Sequence, residues 1–282
     1  MIIDFHTHTF PDTIAQTVIH KLSGVSHTPP FTDGTASGLR KSMKESGVDL
    51  SVIMPVATSP KQVVSINNSS VAMNEKTEET GLLSFGCIHP DYEDWKQELA
   101  RIARLGLKGI KIHPVYQKTD LDDLRYLRIL DKAGELGLVV LVHAGIDIGY
   151  PEENQASPDK ILNAVRQTGP VKLIVAHMGG WKRWAEAEEL LVNTHVFLDT
   201  AFSTGFVVSK DDGFYEPEDL VLLDESRFLR MVRSFGADRI LFGTDSPWSS
   251  QRESVAWIQN LPLTTEEKES IFAGNAKRLL GI

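Results

Sequence analysis

Seven times along this chain a polar, amphipathic segment runs into a glycine or asparagine, and a short apolar run follows within a few residues. The junction residues are Gly47, Gly81, Gly106, Gly137, Gly169, Asn193 and Gly236. Each suits the left-handed position that closes a helix, where Gly serves best and Asn second. The runs that follow start near Leu50, Leu82, Leu107, Leu138, Val171, Val196 and Arg239, and they are rich in β-branched residues. With IIDFHTH at the start they make eight predicted strands. Near-continuous apolar runs suit parallel strands covered on both faces. The segments between them read as helices: Trp95, Leu99, Ile102 and Ala103 recur at helical spacing, as do Leu124, Leu127 and Leu130. Eight alternations favour an α/β fold of the closed (β/α)₈ TIM-barrel type over an open, doubly wound sheet.

A chain of 282 residues is a little longer than the ~250 typical of that barrel. With no linker-like stretch, residues 1–282 read as a single domain. The hydrophobic fraction of 41% is enough for a large core. A formal net charge of −9 argues against nucleic acid or an anionic membrane as partner. The lone cysteine, Cys87, rules out an internal disulfide and reads as a core residue. The opening residues lack the basic segment of a signal peptide, and no apolar run approaches ~20 residues. The expectation is a cytoplasmic protein, with a homodimer through a barrel helix as one option.

The placement of the polar residues carries the functional reading. Six of the nine histidines, His6, His8, His89, His113, His143 and His177, fall at the C-terminal ends of predicted strands. Asp199 and Asp245 fall at the same end of the last two. In this barrel that end is the active-site mouth, so residues far apart in sequence converge there. His6 and His8 are two apart on a strand and share a face, so both imidazoles can reach one ion. Zinc, manganese or iron would accept such ligands. Asp245 is placed to bind metal and to take a proton from water, or else to cap the next turn.

These residues sit in motifs that resemble the amidohydrolase superfamily. The resemblance is to its amidohydrolase-related branch of aminocarboxymuconate-semialdehyde decarboxylase-like enzymes and lactonases. It runs from IIDFHTH through GIKIHP, LVHAG, AHMGG and LFGTDSPW to the closing GNAKRLLG. It implies one divalent metal ion, zinc with manganese as the alternative, held by His6, His8, His143 and Asp245. It also implies that His177 acts beside the metal as acid, base or substrate polariser, with Asp245 moving the proton of an activated water. The reaction implied is hydrolysis of a lactone, ester-like or amide bond in a small anionic substrate. Non-oxidative decarboxylation at the same site is the alternative.

Lys111 and His113 share a face of the fourth strand and are expected to contact the substrate, Lys111 through its carboxylate. A carboxylated Lys111 bridging two metals is the other reading. Trp181 and Trp248 are expected either as apolar walls of the pocket or as packing residues under the loops. His89 is either a pocket or a rim residue, and Asp199 either orients a ligand or is a plain strand-end carboxylate. His195 should lie at the barrel bottom, and His20 and His27 in the first long loop, 10–38. That loop, with a short helix around Ile14 to Leu22, and the loop 202–224, with Phe206, Phe214 and Tyr215, are candidate lids.

Overall fold

The computed structural model of the chain describes residues 1–205 and 207–282; Phe206 lies outside the described residues. Parallel strands alternate with helices in the order expected. The strands are β1 (Ile3–Thr7), β2 (Leu50–Ile53), β3 (Leu82–Ser84), β4 (Gly86–Cys87), β5 (Gly109–Ile112), β6 (Val139–Val142), β7 (Lys172–Val175), β8 (Phe197–Asp199) and β9 (Ile240–Leu241). β1 to β3 form one parallel set and β4 to β9 another. Two seams join the sets. The third apolar run is broken at Phe85, whose N–H donates to Ile53 O at 2.9 Å and carries the pairing across the break. At the other seam, Phe5 N–H donates to Phe242 O at 2.8 Å, Asp245 N–H to His6 O at 2.7 Å and His8 N–H to Ser246 O at 2.6 Å. The ring closes, and the eight expected strands form a (β/α)₈ barrel whose third strand is in two pieces.

Alternation along the strands sorts two apolar layers. Ile110, Ile112, Val140, Val142, Leu173, Val175 and Leu198 face outward and pack under Leu99, Ile102, Leu130, Ile161 and Phe228 of the surrounding helices. Phe5, Val52, Met54, Phe85, Leu141, Ile174 and Leu241 fill the interior. Ala273, Ala276, Leu279 and Leu280 of the C-terminal segment join that interior cluster. A packed interior leaves the opposite rim free for chemistry.

The inward parity of Leu141 and Leu241 continues upward to His143 and Asp245, as Lys111 continues Gly109. β1 is the exception. Its register shifts between Asp4 and Thr7. The irregularity lets neighbours Phe5 and His6 both turn to the barrel axis, Phe5 into the apolar plug and His6 above it. Asp4 takes the outward position and bridges the seam. Its carboxylate accepts from Thr244 N–H (3.0 Å), Thr244 Oγ1 (2.6 Å), Gln251 Nε2 (2.7 Å) and His6 N–H (3.3 Å).

Five of the seven junction residues, Gly47, Gly81, Gly106, Gly137 and Gly236, have φ between +69° and +91°, as expected. Gly169 and Asn193 do not. Gly169 precedes Pro170, which disfavours helical geometry in the residue before it, and the helix Pro158–Gln167 already ends in an extended Thr168. At Asn193 the helix Trp184–Leu191 closes instead by a turn in which Thr194 N–H donates to Leu191 O. The helix expected around Ile14 to Leu22 is longer, Asp12–Ser26. Among the described residues, no helix is long and apolar enough to cross a membrane.

Asp4→Ala removes the Asp4 acceptor from four buried donors at the seam, of which Gln251 Nε2 keeps a bond to Ser51 Oγ. The variant should lose about 3 kcal/mol of stability, read as a lower urea midpoint at unchanged slope. A loss below about 1 kcal/mol would show that Asp4 does not secure the closure.

Candidate metal centre

The mouth of the barrel gathers His6, His8 and Asp245 into one group. Asp245 Oδ1 lies 3.0 Å from His8 Nε2 and 3.4 Å from His6 Nε2. The His6 and His8 rings are 5.1 Å apart and 64° from parallel, so their lone pairs converge rather than run side by side. The pairing expected from the His-x-His spacing is therefore present.

The surrounding hydrogen bonds set which nitrogen of each ring is free. Asp199, fully buried, accepts from His6 Nδ1–H at 2.8 Å, which leaves the lone pair on His6 Nε2. A carboxylate behind a histidine is the usual way to orient a metal ligand. The other oxygen of Asp199 accepts from His177 N–H (2.8 Å) and Ala201 N–H (3.1 Å). Asp199 thus holds two site histidines at once, the orienting role among the two expected for it.

His177 lies beyond the end of β7, where simple alternation would turn it outward. A left-handed turn at His177 (φ 59°) and Met178 (φ 53°) brings it back to the mouth. Its Nδ1–H donates to Ala201 O at 2.9 Å, and its carbonyl accepts from Trp184 Nε1 at 3.0 Å. That commits the proton to Nδ1 and leaves His177 Nε2 as a lone pair, 3.1 Å from His143 Nδ1. The contact forces a choice. If His143 donates there from Nδ1, its buried Nε2 is an acceptor with no partner among the protein atoms. If a cation takes the His143 Nδ1 lone pair, Nε2 becomes N–H and faces Asp147 Oδ2, 3.9 Å away, and the His177 Nε2 lone pair is left for water or substrate. The second arrangement turns a lone pair facing a carboxylate into an N–H facing it, the electrostatically favourable orientation, so the donor set fits a divalent ion. Nitrogen ligands with one carboxylate suit zinc or manganese.

His143 is not part of the His6–His8–Asp245 group. It belongs with His113 and Asp147, residues that also lie within 4.8 Å of one another. The rings of His113 and His143 stack 4.1 Å apart at 11°. Stacked imidazoles hold their lone pairs in separate parallel planes and cannot both aim at one ion. This second group is therefore not a metal site, and His143 reaches the first group only through Nδ1.

Lys111 is fully buried and donates to His6 Nε2 at 3.1 Å. An ion on His6 would take that lone pair and displace the bond. Burial already pushes the Lys111 ammonium down to about 8, against the pull of Asp245 and Asp199. Burial, followed by the charge of Lys111, also pushes His6 well below its usual range. Burial alone would raise Asp245, but His6 and His8 beside it hold its carboxyl down at about 2.

The remaining candidates divide. His113 is in the mouth, stacked between His143 and Tyr116 (3.8 Å, 12°). Trp181 is buried, donates from Nε1 to Phe202 O and stacks on Phe202, so it packs under a loop. Trp248 packs partly buried against the outer core, with its N–H on Asp245 O. His89 accepts from Asp91 N–H, which makes it a rim residue. Burial raises the Cys87 thiol far above its usual range and keeps it inert. His195 is exposed just before β8, at the opposite end from the chemistry, and His20 is exposed on the helix Asp12–Ser26. The sequence reading missed Asp4, Asp147 and Tyr116. Asp4 stands inside the first motif and Asp147 just beyond HAG, but neither shows its partner without the fold.

Residues 3–282 match the sequence profile of the amidohydrolase family. The chain belongs to the amidohydrolase family. A search of curated proteins finds no significant match. Among solved structures it is similar to a 2,6-dihydroxybenzoate decarboxylase from Rhizobium (16% identity, 99% of this chain and 98% of that one, TM-score 0.70). It is also similar to a Pseudomonas putida protein provisionally designated a 2-pyrone-4,6-dicarboxylic acid hydrolase (20%, 99% and 97%, TM-score 0.68). A third is a 5-carboxyvanillate decarboxylase from Novosphingobium aromaticivorans with bound manganese (13%, 100% and 97%, TM-score 0.69). At these identities the likeness establishes the shared barrel. As a member of the amidohydrolase superfamily, the chain is an enzyme of a metal-dependent class.

Asp199→Ala removes the acceptor that orients His6. Affinity for the divalent ion should fall ~10–100-fold, measured by competition with a chromogenic chelator. Unchanged affinity would assign Asp199 to backbone packing alone.

Proposed function

We propose that this amidohydrolase is a hydrolase acting on a lactone, ester-like or amide bond in a small carboxylated substrate. One divalent ion, zinc or manganese, would be held by His6, His8, His143 and Asp245. When bound, it supplies Lewis-acid polarisation of a carbonyl and acidification of water. The observation that carries the reading is Asp245: a partly buried carboxylate kept ionised, with Oδ1 at 3.0 and 3.4 Å from two imidazole nitrogens. An ionised carboxylate in that position takes up a proton and does not bring one.

The chain's own groups then have distinct tasks. Asp245 accepts a proton from the attacking water as its oxygen bonds to the acyl carbon. It returns that proton to the leaving oxygen or nitrogen as the old bond breaks. His177 Nε2, fixed as a lone pair by the Nδ1–H bond to Ala201 O, holds the water or substrate by a hydrogen bond. Lys111 places a buried cation in the floor of the mouth, which favours an anionic substrate, and His113 lies beside it.

One observation favours decarboxylation as a second reading. Burial pushes the Asp147 carboxyl up to about 6, so a proton donor also stands in the mouth. In that reaction a proton is delivered to the ring or alkene carbon, and carbon dioxide leaves from the same carbon.

Turnover of carboxylated lactones and hydroxylated aromatic acids by metal-loaded protein in ¹⁸O-water separates the two. Hydrolysis puts one ¹⁸O into the product acid and releases no carbon dioxide. Carbon dioxide release without such labelling would overturn the hydrolase reading. Asp245→Asn should lower kcat ~10²–10⁴-fold on the same substrate.

A further inference from the structure

His6 and His177 each have one ring nitrogen fixed by a protein acceptor. Asp199 Oδ2 holds His6 Nδ1–H, and Ala201 O holds His177 Nδ1–H. His143 has no such bond. Its buried Nε2 has no hydrogen-bond partner among the protein atoms. Asp147 Oδ2 lies 3.9 Å away, too far for a hydrogen bond. The Asp147 carboxyl is engaged elsewhere, by Gly149 N–H at 2.9 Å and by the Tyr116 hydroxyl. The torsion that turns an imidazole about its Cβ–Cγ bond has no sharp preference of its own. A ligand histidine without a hydrogen-bonded partner therefore needs other neighbours to set the plane of its ring.

Flat faces supply them. His113 lies over one face of His143, with centroids 4.1 Å apart and planes 11° apart. Tyr116 covers the other face of His113, at 3.8 Å and 12°. Tyr150 closes the column edge-on against Tyr116, at 5.7 Å and 76°. Turning His143 about its Cβ–Cγ bond would drive its edge into His113 and swing Nδ1 away from the ion. His113 yields to that push only if Tyr116 yields behind it.

The column is anchored through one buried amide. His113 N–H donates to Gln117 Oε1 at 3.0 Å, and Gln117 N–H donates to His113 O at 3.0 Å. Gln117 Nε2 donates to Ala57 O at 2.9 Å and to Ile88 O at 2.6 Å. The Tyr126 hydroxyl donates to the same Gln117 Oε1. Gln117 thus pins the turn 113–117, which carries both stacking rings, to the chain just beyond β2 and β4. Within that turn the rings of His113 and Tyr116, three residues apart, fold face to face.

From this geometry we infer that His113 and Tyr116 are positioning residues that orient His143 toward the metal ion by ring stacking, in place of the hydrogen bond that orients His6. The inference rests on the proposed ligand set and adds two residues that act on the ion only through His143.

The test uses cobalt(II), whose visible absorption reports the geometry of its ligands. Affinity is measured by competition with a chromogenic chelator, and the melting of each metal-free variant is recorded beside it to tell lost affinity from lost fold. Tyr116→Leu and His113→Leu keep apolar bulk without the stacked face. Each should bind cobalt ~3–10-fold more weakly, the worth of an aromatic pair, with altered absorption bands; the use of two positions lets one folded variant decide. Tyr116→Phe keeps the face, loses the hydroxyl bond to Asp147, and should restore wild-type affinity and bands. Asp147→Asn should also bind as the wild type does. Wild-type affinity and bands in a folded leucine variant overturn the stacking role. So does a Tyr116→Phe variant as weak as Tyr116→Leu, or a greater loss in Asp147→Asn than in Tyr116→Leu, since either would assign the orientation to the carboxylate. His143→Ala separates the two levels: unchanged affinity there overturns the proposed ligand set itself, whereas a loss there without one in the leucine variants overturns the stacking role alone.

Discussion

The hydrogen bond from Asp245 N–H to His6 O, 2.7 Å long, ties the last strand of the barrel to the first. It joins two residues that are also candidate ligands, so barrel closure and assembly of the metal centre are one event. Phe5 N–H on Phe242 O and the Asp4 carboxylate on Thr244 and Gln251 brace the same seam from below and outside. A barrel that failed to close would have no site, because His6 and Asp245 are 239 positions apart in the chain. Locating a ligand pair on the closing seam also explains the irregular register of β1. The strand must give Phe5 to the apolar plug and His6 to the chemistry, and regular alternation cannot do both.

Much of this was legible in the residue pattern, for identifiable reasons. Strand parity carries Lys111, His143, Asp199 and Asp245 to the mouth once the strands are placed, and the Gly junctions place the strands. Histidine at strand ends is rare enough that six of nine there pointed to one site. The expected fold, with its eight strands and open C-terminal face, followed from those two patterns. Where the reading stopped, the cause is local and non-periodic. His177 enters the site through a left-handed turn, not through strand parity. Asp147 sits in a turn whose position depends on Trp181 of the next loop. The hydrogen bonds of Trp181 to Phe202 O, and of Gly169 to Asp131 Oδ1, arise from tertiary neighbours that no window of sequence contains.

Electrostatics in the mouth is divided between two oppositely tuned carboxyl groups. Asp245 is pressed toward ionisation by His6 and His8, whereas burial presses Asp147 toward its neutral form. Two carboxyl groups held apart in this way can serve different roles in one reaction. Lys111 stands between the needs of ion and substrate: its bond to His6 fills a ligand's lone pair, and an ion that takes that lone pair frees the ammonium for a substrate carboxylate. The barrel hosts many chemistries, so the loops and these side chains, more than the fold, decide the bond that is broken.

The central claim is that one ion sits on the closing seam. Anomalous diffraction from crystals of manganese- or zinc-loaded protein tests it most directly. The account predicts a single peak per chain in contact with His6 Nε2, His8 Nε2, His143 Nδ1 and Asp245. No peak in fully loaded protein, or a peak between His113 and Asp147, would contradict it.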